Sequence, residues 1–523
     1  DKSGEYAYGD LCTLTATPDP GYEFSGWYGD VSGTQPVLTV SMTRDIAAHP
    51  QFTLIPVVPQ YTVRTSAGAY GTITLTPKKD AYGSGETVHV TAQPAAGYIF
   101  KRWTEGTSGT DSDATVIVTD NITVGAEFVP ATWTHLVYMC ADNSLDSQAL
   151  NDLNEMEAAV RIADKGMTVL VLVDRKYGNG DWSDTRLYEI RNTPGVNSAL
   201  IESKRLDCPE LGLSASLPTE LNMSDPVTLE RFIRFGLTSR KAQRYSLTVW
   251  GHGTGWRGAG TEGAGTDGAG TEGSTGGEGS AADSAAAAFR AVAIDDTSGT
   301  YMDVGTLAEA VRAGRGTGNR IDVIGFDSCF GALLEVAYPL RNDVRFLVGS
   351  EGPTKESGWN YTGILNDMCS SNLDAADWYG AIVGQFAISY ASMENATISA
   401  IDLGRVGALQ QSFNEWARSV AQQVGAIPVE NERTAAKNTI RSIMLNQIDS
   451  FCYPAMQSDF YADIHSLALT IQANTGFGDN AGVVAACGNA VTRTWSAKYG
   501  YTRKQIGVFV NTISAFRVFD TVH

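Results

Sequence analysis

The segment IDVIGFDSCF, residues 321–330, joins a buried β-strand to a turn that carries a cysteine. Mostly β-forming apolar residues lead through a glycine to Asp327 and Cys329. The segment SLTVWGHG, residues 246–253, has the same form and places His252 between two glycines. If the two strands pair in parallel, the thiol and the imidazole meet at their carboxyl ends. A cysteine after an apolar run is by itself more often a core residue than a nucleophile, so other features have to decide.

The composition indicates a globular chain with several cores. The chain has 523 residues, 43% of them hydrophobic, which predicts about three or four domains. Acidic residues outnumber basic ones by 58 to 38, which argues against nucleic acid or an anionic membrane as partner and favours cationic substrates. The first residues, DKSGEYAYGD, show no signal-peptide pattern, so we expect any signal segment to be absent from this chain. Seven scattered cysteines without a CxxC pair indicate neither a disulfide framework nor a thiolate zinc site.

Strands and helices alternate after residue 130. HLVYMCADNSLD and MTVLVLVDR predict buried strands, and a helix of 3.6-residue period lies between them. This order predicts an α/β domain with a mostly parallel sheet flanked by helices, whose active site lies at the carboxyl ends of the strands. We assign residues 131–363 to this catalytic domain and 364–523 to an α/β C-terminal extension packed on it.

A glycine-rich stretch interrupts this domain between the histidine and the cysteine. Residues 258–289 form a short-period Gly/Thr/Ala repeat with five acidic residues and no basic one. Such a composition cannot bury enough apolar area to fold, so we expect a flexible, protease-accessible loop. Arg290 follows the loop directly, and Ala291 begins the next predicted strand.

The first 130 residues contain an internal repeat. GYEFSGW at residues 21–27 matches GYIFKRW at residues 97–103, and Phe52 matches Phe128 at the same spacing of 76. Alternating strands and turns predict two small β modules, an N-terminally incomplete one at 1–56 and a second at 57–130. The modules resemble the internalin-type B-repeat family of bacterial surface proteins, which implies a secreted or cell-surface protein. The aromatic residues are interpreted as core rather than as a carbohydrate platform, and contacts with a cell surface or host protein are the most that the repeats support.

Cysteine catalysis needs a thiolate, a nearby imidazole and backbone N–H donors for the oxyanion. Cys329 and His252 meet these needs, because both stand in glycine-containing turns after predicted strands. The other five histidines lie in contexts that indicate structural roles, and the other cysteines either fall in strand patterns or lack a histidine to pair with. The sequence contains neither an HExxH motif nor a cluster of histidines and aspartates at metal-binding spacing, so a metal site is not expected.

From about residue 134 to 514 the chain resembles the clostripain family of cysteine endopeptidases. The matching segments, in the family's order, are LVYMCADNSLD, LVDR, TRLYEI, VWGHGTGW, AIDDTSG, DVIGFDSCFGALLEVAY, LVGSEG, GWNYTGIL and GVFV. The resemblance implies a caspase-like fold, Cys329 as nucleophile and His252 as its base. It also implies an oxyanion hole formed by the N–H groups of Gly253 and Cys329.

The same resemblance implies cleavage of proteins or peptides after arginine or lysine, with Asp327 as the pocket carboxylate. The alternative for Asp327 is a turn cap. The family's GWDY-like segment here is GWNY, so Asn360 stands where a second pocket acid is common, and a weaker or shifted basic specificity is expected. Relatives are activated by cutting before the AIDD-like strand, which predicts self-processing between Arg290 and Ala291, with Arg257 and Lys355 as weaker candidates.

Two other functions and one cofactor stay open at this level. A surface adhesin would use the repeats and a degenerate peptidase fold, whereas a transpeptidase would use the same dyad to transfer the acyl group. No cofactor is required by the predicted chemistry. Some relatives need calcium, and the acidic surplus is compatible with a calcium site, but no EF-hand loop identifies one.

Overall fold

A computed structural model gives the architecture of the chain. It describes residues 4–159, 162–176, 182–191, 201–254, 291–318, 320–394, 396–446, 450–451, 459–497 and 506–511. Within these ranges, no helix combines the length and the apolar character that a membrane crossing requires.

The N-terminal module consists of two antiparallel pairs, β1 with β3 and β2 with β4. Its strands are β1 (Leu11–Thr15), β2 (Tyr22–Gly29), β3 (Val37–Ser41) and β4 (Ala48–Leu54). Trp27 is buried, and its indole donates a hydrogen bond to the Gln35 carbonyl at 2.9 Å.

The second module repeats this arrangement with additional strands. They are β5 (Gln60–Tyr61), β6 (Val63–Ser66), β7 (Gly71–Thr76), β8 (Tyr82–Gly83), β9 (Glu86–Pro94), β10 (Tyr98–Glu105), β11 (Asp113–Val118) and β12 (Ile122–Pro130). The ring of Trp103 lies 5.2 Å from Phe100, tilted by 59°, compared with 5.5 Å and 59° for Trp27 and Phe24. The equivalent indole donates to the Asp111 carbonyl. The repeated aromatic residues therefore build the module cores, as the sequence predicted.

A nine-stranded sheet forms the centre of the remaining chain, in the order β16-β15-β14-β13-β17-β20-β21-β22-β25. Its first half contains β13 (Trp133–Ala141), α1 (Asp146–Ala158), β14 (Met167–Arg175), β15 (Arg186–Glu189), β16 (Lys204–Arg205), α2 (Pro226–Ser239) and β17 (Arg244–Trp250). The next part contains β18 (Ala291–Asp295), β19 (Thr300–Asp303), α3 (Val304–Arg315), β20 (Ile321–Asp327), α4 (Leu334–Leu340) and β21 (Val344–Gly349).

The five central strands are parallel and buried on both faces. Strands β14, β13, β17, β20 and β21 pair in parallel, so their carboxyl ends lie along one edge. Every residue of β13 and β14 is buried, as expected for a parallel sheet covered by helices on both sides. This confirms the predicted mixed α/β fold with a mostly parallel sheet and N-terminal β modules.

The segment after residue 360 both covers and extends this sheet. It contains α5 (Tyr361–Ser370), α6 (Ala375–Ser389), β22 (Thr397–Asp402), α7 (Val406–Gly425), α8 (Glu430–Asn446), β23 (Ser450–Phe451), β24 (Asp459–Asp463), α9 (Ile464–Thr475), α10 (Ala481–Ala490), β25 (Val491–Ser496) and β26 (Gly507–Asn511). Strands β22 and β25 join antiparallel beyond β21. The segment predicted as a packed extension thus also supplies two strands of the central sheet.

The second module docks at the amino ends of the parallel strands. Asp111 pairs with Arg191, Asp113 with Lys204 at 2.8 Å, and Lys101 lies 3.8 Å from Asp164. A cavity of about 690 Å³ lies between the two bodies and includes residues at the starts of β13 and β14 in its walls. This module therefore lies away from the edge at which the strands' carboxyl ends meet.

Candidate active site

The pairing of β17 with β20 brings His252 and Cys329 to the same edge of the sheet. The register places Trp250 opposite Asp327, so each predicted catalytic residue lies two positions beyond a paired residue. Gly251 continues the contact, because its N–H donates to the Asp327 carbonyl at 3.3 Å. The structure thus brings together the two turns that the sequence singled out.

Gly253 lies against the backbone of Cys329. A β-carbon at position 253 would lie 2.4 Å from the Cys329 carbonyl oxygen and 2.9 Å from the Ser328 hydroxyl. No side chain fits there without moving backbone, which explains the glycine after the histidine. This close approach places the backbone of Gly253 beside the predicted nucleophile, where the oxyanion hole is expected.

The His252 ring is held from the neighbouring strand end. Its Nε2 and the Ser144 hydroxyl are 2.8 Å apart, and Ser144 follows β13. Burial lowers the pKa of His252, while the charges of Asp296 and Glu356 act in the opposite direction. At neutral pH the imidazole is therefore mostly uncharged and can accept a proton.

The Cys329 thiol is partly exposed and contacts the loop after β21. Its Sγ accepts a hydrogen bond from the Thr354 N–H at 3.3 Å and lies 3.6 Å from the Thr354 hydroxyl. The next residue, Phe330, has a φ of 59°, a left-handed conformation that a bulky residue adopts only when its surroundings enforce it. Phe330 is buried, and its N–H donates to the Gly352 carbonyl. This strained turn fixes the direction in which Cys329 points.

A cluster of mostly buried acidic side chains, called here the acidic pocket, lies beside the two turns. The Oδ2 atom of Asp327 accepts hydrogen bonds from the Trp359 N–H at 3.1 Å and the Tyr361 hydroxyl at 2.9 Å. Within the described part of the chain, its Oδ1 has no hydrogen-bond partner although Asp327 is only 4% exposed. Asp327 therefore presents a buried oxygen that can still accept a donor.

Asp152, which the sequence analysis missed, supplies a second carboxylate. A β-carbon on Gly358 would lie 2.9 Å from an oxygen of Asp152 and 2.9 Å from an oxygen of Asp327, so both acids surround this glycine. Asp152 also accepts a 2.6 Å hydrogen bond from the Trp250 indole. Glu155, one turn further along α1, accepts from the Tyr361 N–H at 2.8 Å.

Burial and mutual repulsion disturb the ionisation of these acids. Burial raises the pKa of Asp327 to about 7, and the charge of Glu155 adds to the rise. Burial and the charge of Asp327 raise the pKa of Asp152, and burial raises that of Glu155. Carboxylates this close share protons unless a cation enters, so the pocket is suited to a positively charged side chain.

The remaining predicted site residues have different surroundings. Asn360 caps α5, since its Oδ1 accepts from the Gly363 N–H at 2.9 Å, and its Nδ2 lies 3.2 Å from Gln385. Whether Asn360 contacts a substrate stays a prediction. Ala291 begins β18, whereas Arg290, Arg257 and the whole glycine-rich stretch of residues 258–289 lie outside the described residues. Lys355 belongs to the loop after β21 and donates to the Ser389 carbonyl.

Comparison with known proteins shows to which family the chain belongs. A cysteine and a histidine at adjacent strand ends of a mostly parallel sheet are the residue types that cysteine peptidases use. A sequence model of the Clostripain family matches residues 137–266 and 274–516, and one of the divergent InlB B-repeat domain matches 1–56 and 61–132. Because the first match spans most of the chain, this protein belongs to the clostripain family.

The individual relatives share only low sequence identity with this chain. Clostripain from Hathewaya histolytica is 27% identical over 220 residues, which is 39% of this chain and 35% of that protein. A secreted C11 cysteine protease from Bacteroides thetaiotaomicron superposes with a TM-score of 0.50 at 14% identity, covering 76% of this chain and all of that one. An inactive zymogen of the same kind from Parabacteroides distasonis gives a TM-score of 0.49 at 18% identity, covering 75% and 96% of the two chains.

Proposed function

We propose that this protein is a secreted or surface cysteine endopeptidase that hydrolyses peptide bonds after arginine or lysine. The observation that carries the proposal is the parallel register of β17 and β20, which places His252 and Cys329 at adjacent strand ends. The acidic pocket of Asp327, Asp152 and Glu155 lies beside them. Hydrolysis of arginyl, lysyl and leucyl peptide reporters, with Cys329→Ala as control, tests the proposal.

In the proposed reaction, His252 accepts the thiol proton as the Cys329 sulfur attacks the scissile carbonyl carbon. The N–H groups of Gly253 and Cys329 stabilise the negative oxygen of the tetrahedral intermediate. His252 then gives the proton to the departing amine as the C–N bond breaks, leaving a thioester on Cys329. Water, deprotonated by His252, attacks this thioester and releases the carboxylic acid and the free thiol.

The pocket supports basic specificity through charge rather than shape alone. A guanidinium or ammonium group that enters the acidic pocket would pair with these carboxylates. The Oδ1 atom of Asp327 has no hydrogen-bond partner among the described residues and can accept a hydrogen bond from such a group. A buried charge without a partner is costly, so the pocket favours a cation over a neutral side chain. Asp152 provides a second pocket charge from α1, although the family segment that often carries one has Asn360 here.

The buried charge of Asp327 predicts a pH-dependent cost in stability. Its pKa is about 7 in the fold and about 4 in an unfolded chain. Between these values the folded state binds the extra proton, so the fold loses stability as pH rises from about 4 to 7. In a Cys329→Ala background, Asp327→Asn should raise Tm by several degrees at pH 8 and by less at pH 5, measured by calorimetry.

Glu105→Gln, which alters an exposed carboxyl of the second module, is the matched control and should leave Tm unchanged at both pH values. A decrease in Tm of Asp327→Asn at pH 8 would show instead that Asp327 stabilises the empty fold.

We further propose that the enzyme activates itself by cutting between Arg290 and Ala291. Ala291 opens β18, and this strand leads to residues 294–297, which are hydrogen-bonded to the turn after β13.

Incubation of purified wild type should yield a new N-terminus at Ala291, identified by mass spectrometry. Cys329→Ala should stay intact, and Arg290→Ala should slow this cut at least about tenfold, whereas the matched Arg257→Ala should process normally. Processing of Cys329→Ala at the wild-type rate would assign the cut to another protease.

A further inference from the structure

The turns that carry Ser144 and Cys329 flank the turn that carries His252. The sheet order places β17, whose carboxyl end leads to His252, between β13 and β20. Ser144 stands three residues after the end of β13, and Cys329 stands two residues after the end of β20. The imidazole therefore has a hydroxyl-bearing turn on one side and a thiol-bearing turn on the other.

The contact with Ser144 uses one particular nitrogen of the imidazole. The ring atom that lies 2.8 Å from the Ser144 hydroxyl is Nε2 of His252. The two ring nitrogens point in different directions, and the hydrogen bond made by one decides which of them carries the proton. With Nε2 engaged on the β13 side, Nδ1 is the nitrogen left to serve the β20 side, where Cys329 lies. A base must present a lone pair, so Nε2 has to carry the hydrogen and Nδ1 has to be free of one.

The turn that carries Ser144 is fixed by a buried neighbour. The side chain of Asn143 is buried; its Oδ1 accepts from the Leu145 N–H at 3.0 Å, and its Nδ2 donates to the Cys140 carbonyl at 2.9 Å. The amide of Asn143 thus spans the turn on both sides of Ser144. The same Nδ2 donates to the Ile294 carbonyl of β18 at 3.2 Å. Ser144 itself is exposed, so its hydroxyl hydrogen can bond to water while its oxygen accepts a hydrogen bond.

We propose that Ser144 is a positioning residue, whose oxygen accepts the Nε2–H of His252 and thereby leaves Nδ1 as the base for the Cys329 thiol. This inference rests on the proposed peptidase function. The same hydrogen bond remains when the thiol proton moves to Nδ1, because the imidazolium keeps its Nε2–H. It then becomes a charge-assisted hydrogen bond, which is stronger than a neutral one. Ser144 therefore orients the ring before the proton transfer and stabilises the imidazolium after it.

Replacement of Ser144 tests this role without changing the reacting atoms. Ser144→Ala should lower kcat on arginyl peptide reporters about tenfold and leave KM within about twofold, since a hydrogen bond to the charged imidazole is lost but the substrate pocket is intact. Ser144→Thr keeps the hydroxyl and should restore kcat to within about threefold of wild type. Ser147→Ala, which alters another exposed serine in the first turn of α1, is the matched control and should leave both constants unchanged.

Nitrogen-15 NMR of the full Cys329→Ala chain with labelled histidine tests the tautomer without relying on peptidase activity. Above neutral pH, His252 should carry its proton on Nε2. Adding Ser144→Ala should raise the share of the form protonated on Nδ1, whereas adding Ser147→Ala should not. The signals of His252 are assigned by their loss in His252→Gln.

A proton on Nδ1 of His252 in the parent, or an unchanged tautomer in Ser144→Ala, would overturn the role of Ser144 whether or not the reporters are cleaved. Wild-type kcat in Ser144→Ala, or a loss confined to KM, would overturn it as well. Failure of the wild type to cleave any arginyl or lysyl reporter would instead count against the proposed function, and the tautomer of His252 would then decide the role of Ser144 alone.

Discussion

Cys329→Ala is expected to reduce kcat on arginyl peptide reporters on the order of 10⁵–10⁶-fold, since removing a covalent nucleophile eliminates the reaction path rather than weakening it. His252→Ala should cause a loss approaching the same size, because the thiol then has no base and the amine no acid. The two losses should not add in the double variant, since both residues serve the same steps. Steady-state kinetics on purified, folded protein measures all three.

Matched controls separate chemistry from folding. Cys369→Ala alters another partly exposed cysteine, on α5, and His89→Ala alters a histidine of the second module. Both should keep activity within about twofold of wild type, and circular dichroism and Tm should match across the set. Substantial turnover by Cys329→Ala would assign the nucleophile elsewhere.

Neutralising the acidic pocket is expected to have the second-largest effect. Asp327→Asn and Asp152→Asn each keep the acceptor that Tyr361 or Trp250 requires but remove a charge. We expect kcat/KM on arginyl reporters to fall roughly 10²–10³-fold in each case, the cost of leaving a buried cation without its partner. Activity on a leucyl reporter, although low, should not fall in parallel.

Two measurements distinguish loss of substrate charge recognition from damage to the dyad. The rate at which iodoacetamide alkylates Cys329 should be unchanged in both pocket variants, since the small reagent does not use the pocket. Asn360→Asp retains the cap of α5 and should change kcat/KM less than about threefold if Asp152 already supplies the second charge. A large gain in Asn360→Asp, with no loss in Asp152→Asn, would place the second pocket charge at position 360.

The pocket also predicts a proton linked to substrate binding. Because the pKa of Asp327 is raised to about 7, acidification below that value protonates the pocket that should receive a cation. KM for arginyl reporters should therefore rise as pH falls from 7.5 to 5.5. The lowered pKa of His252 keeps the base unprotonated over the upper part of this range, so kcat should fall less than kcat/KM.

The sequence predicted the features that depend on short segments. Each parallel strand is a mostly apolar run, and the glycine-flanked His252 and the turn of Cys329 follow two of these runs directly. The aromatic repeat likewise carried its own spacing, and Trp27 and Trp103 make equivalent indole hydrogen bonds in the two modules. The order of residues within short segments was sufficient for these predictions.

The missed residues depend on contacts between distant segments. Ser144 reaches His252 only because β13 pairs with β17, and Thr354 reaches Cys329 across 25 positions of the chain. Asp152 enters the pocket because α1 packs on the sheet beneath Trp250. One signal was present: Asp152 lies beside Leu153 and three residues after Ala149, an acid on the apolar face of a helix, which needs a partner if it is buried.

Covalent labelling with a peptidyl arginyl chloromethyl ketone tests the central claim most directly, since it requires the nucleophile and the cation pocket to act on one molecule. Mapping of the labelled protein by mass spectrometry should find one adduct, on Cys329, formed at least about 100-fold faster than with the leucyl analogue. Asp327→Asn should remove this preference and His252→Ala should slow the reaction. An adduct on any other cysteine, or equal rates for the arginyl and leucyl reagents in wild type, would contradict the account.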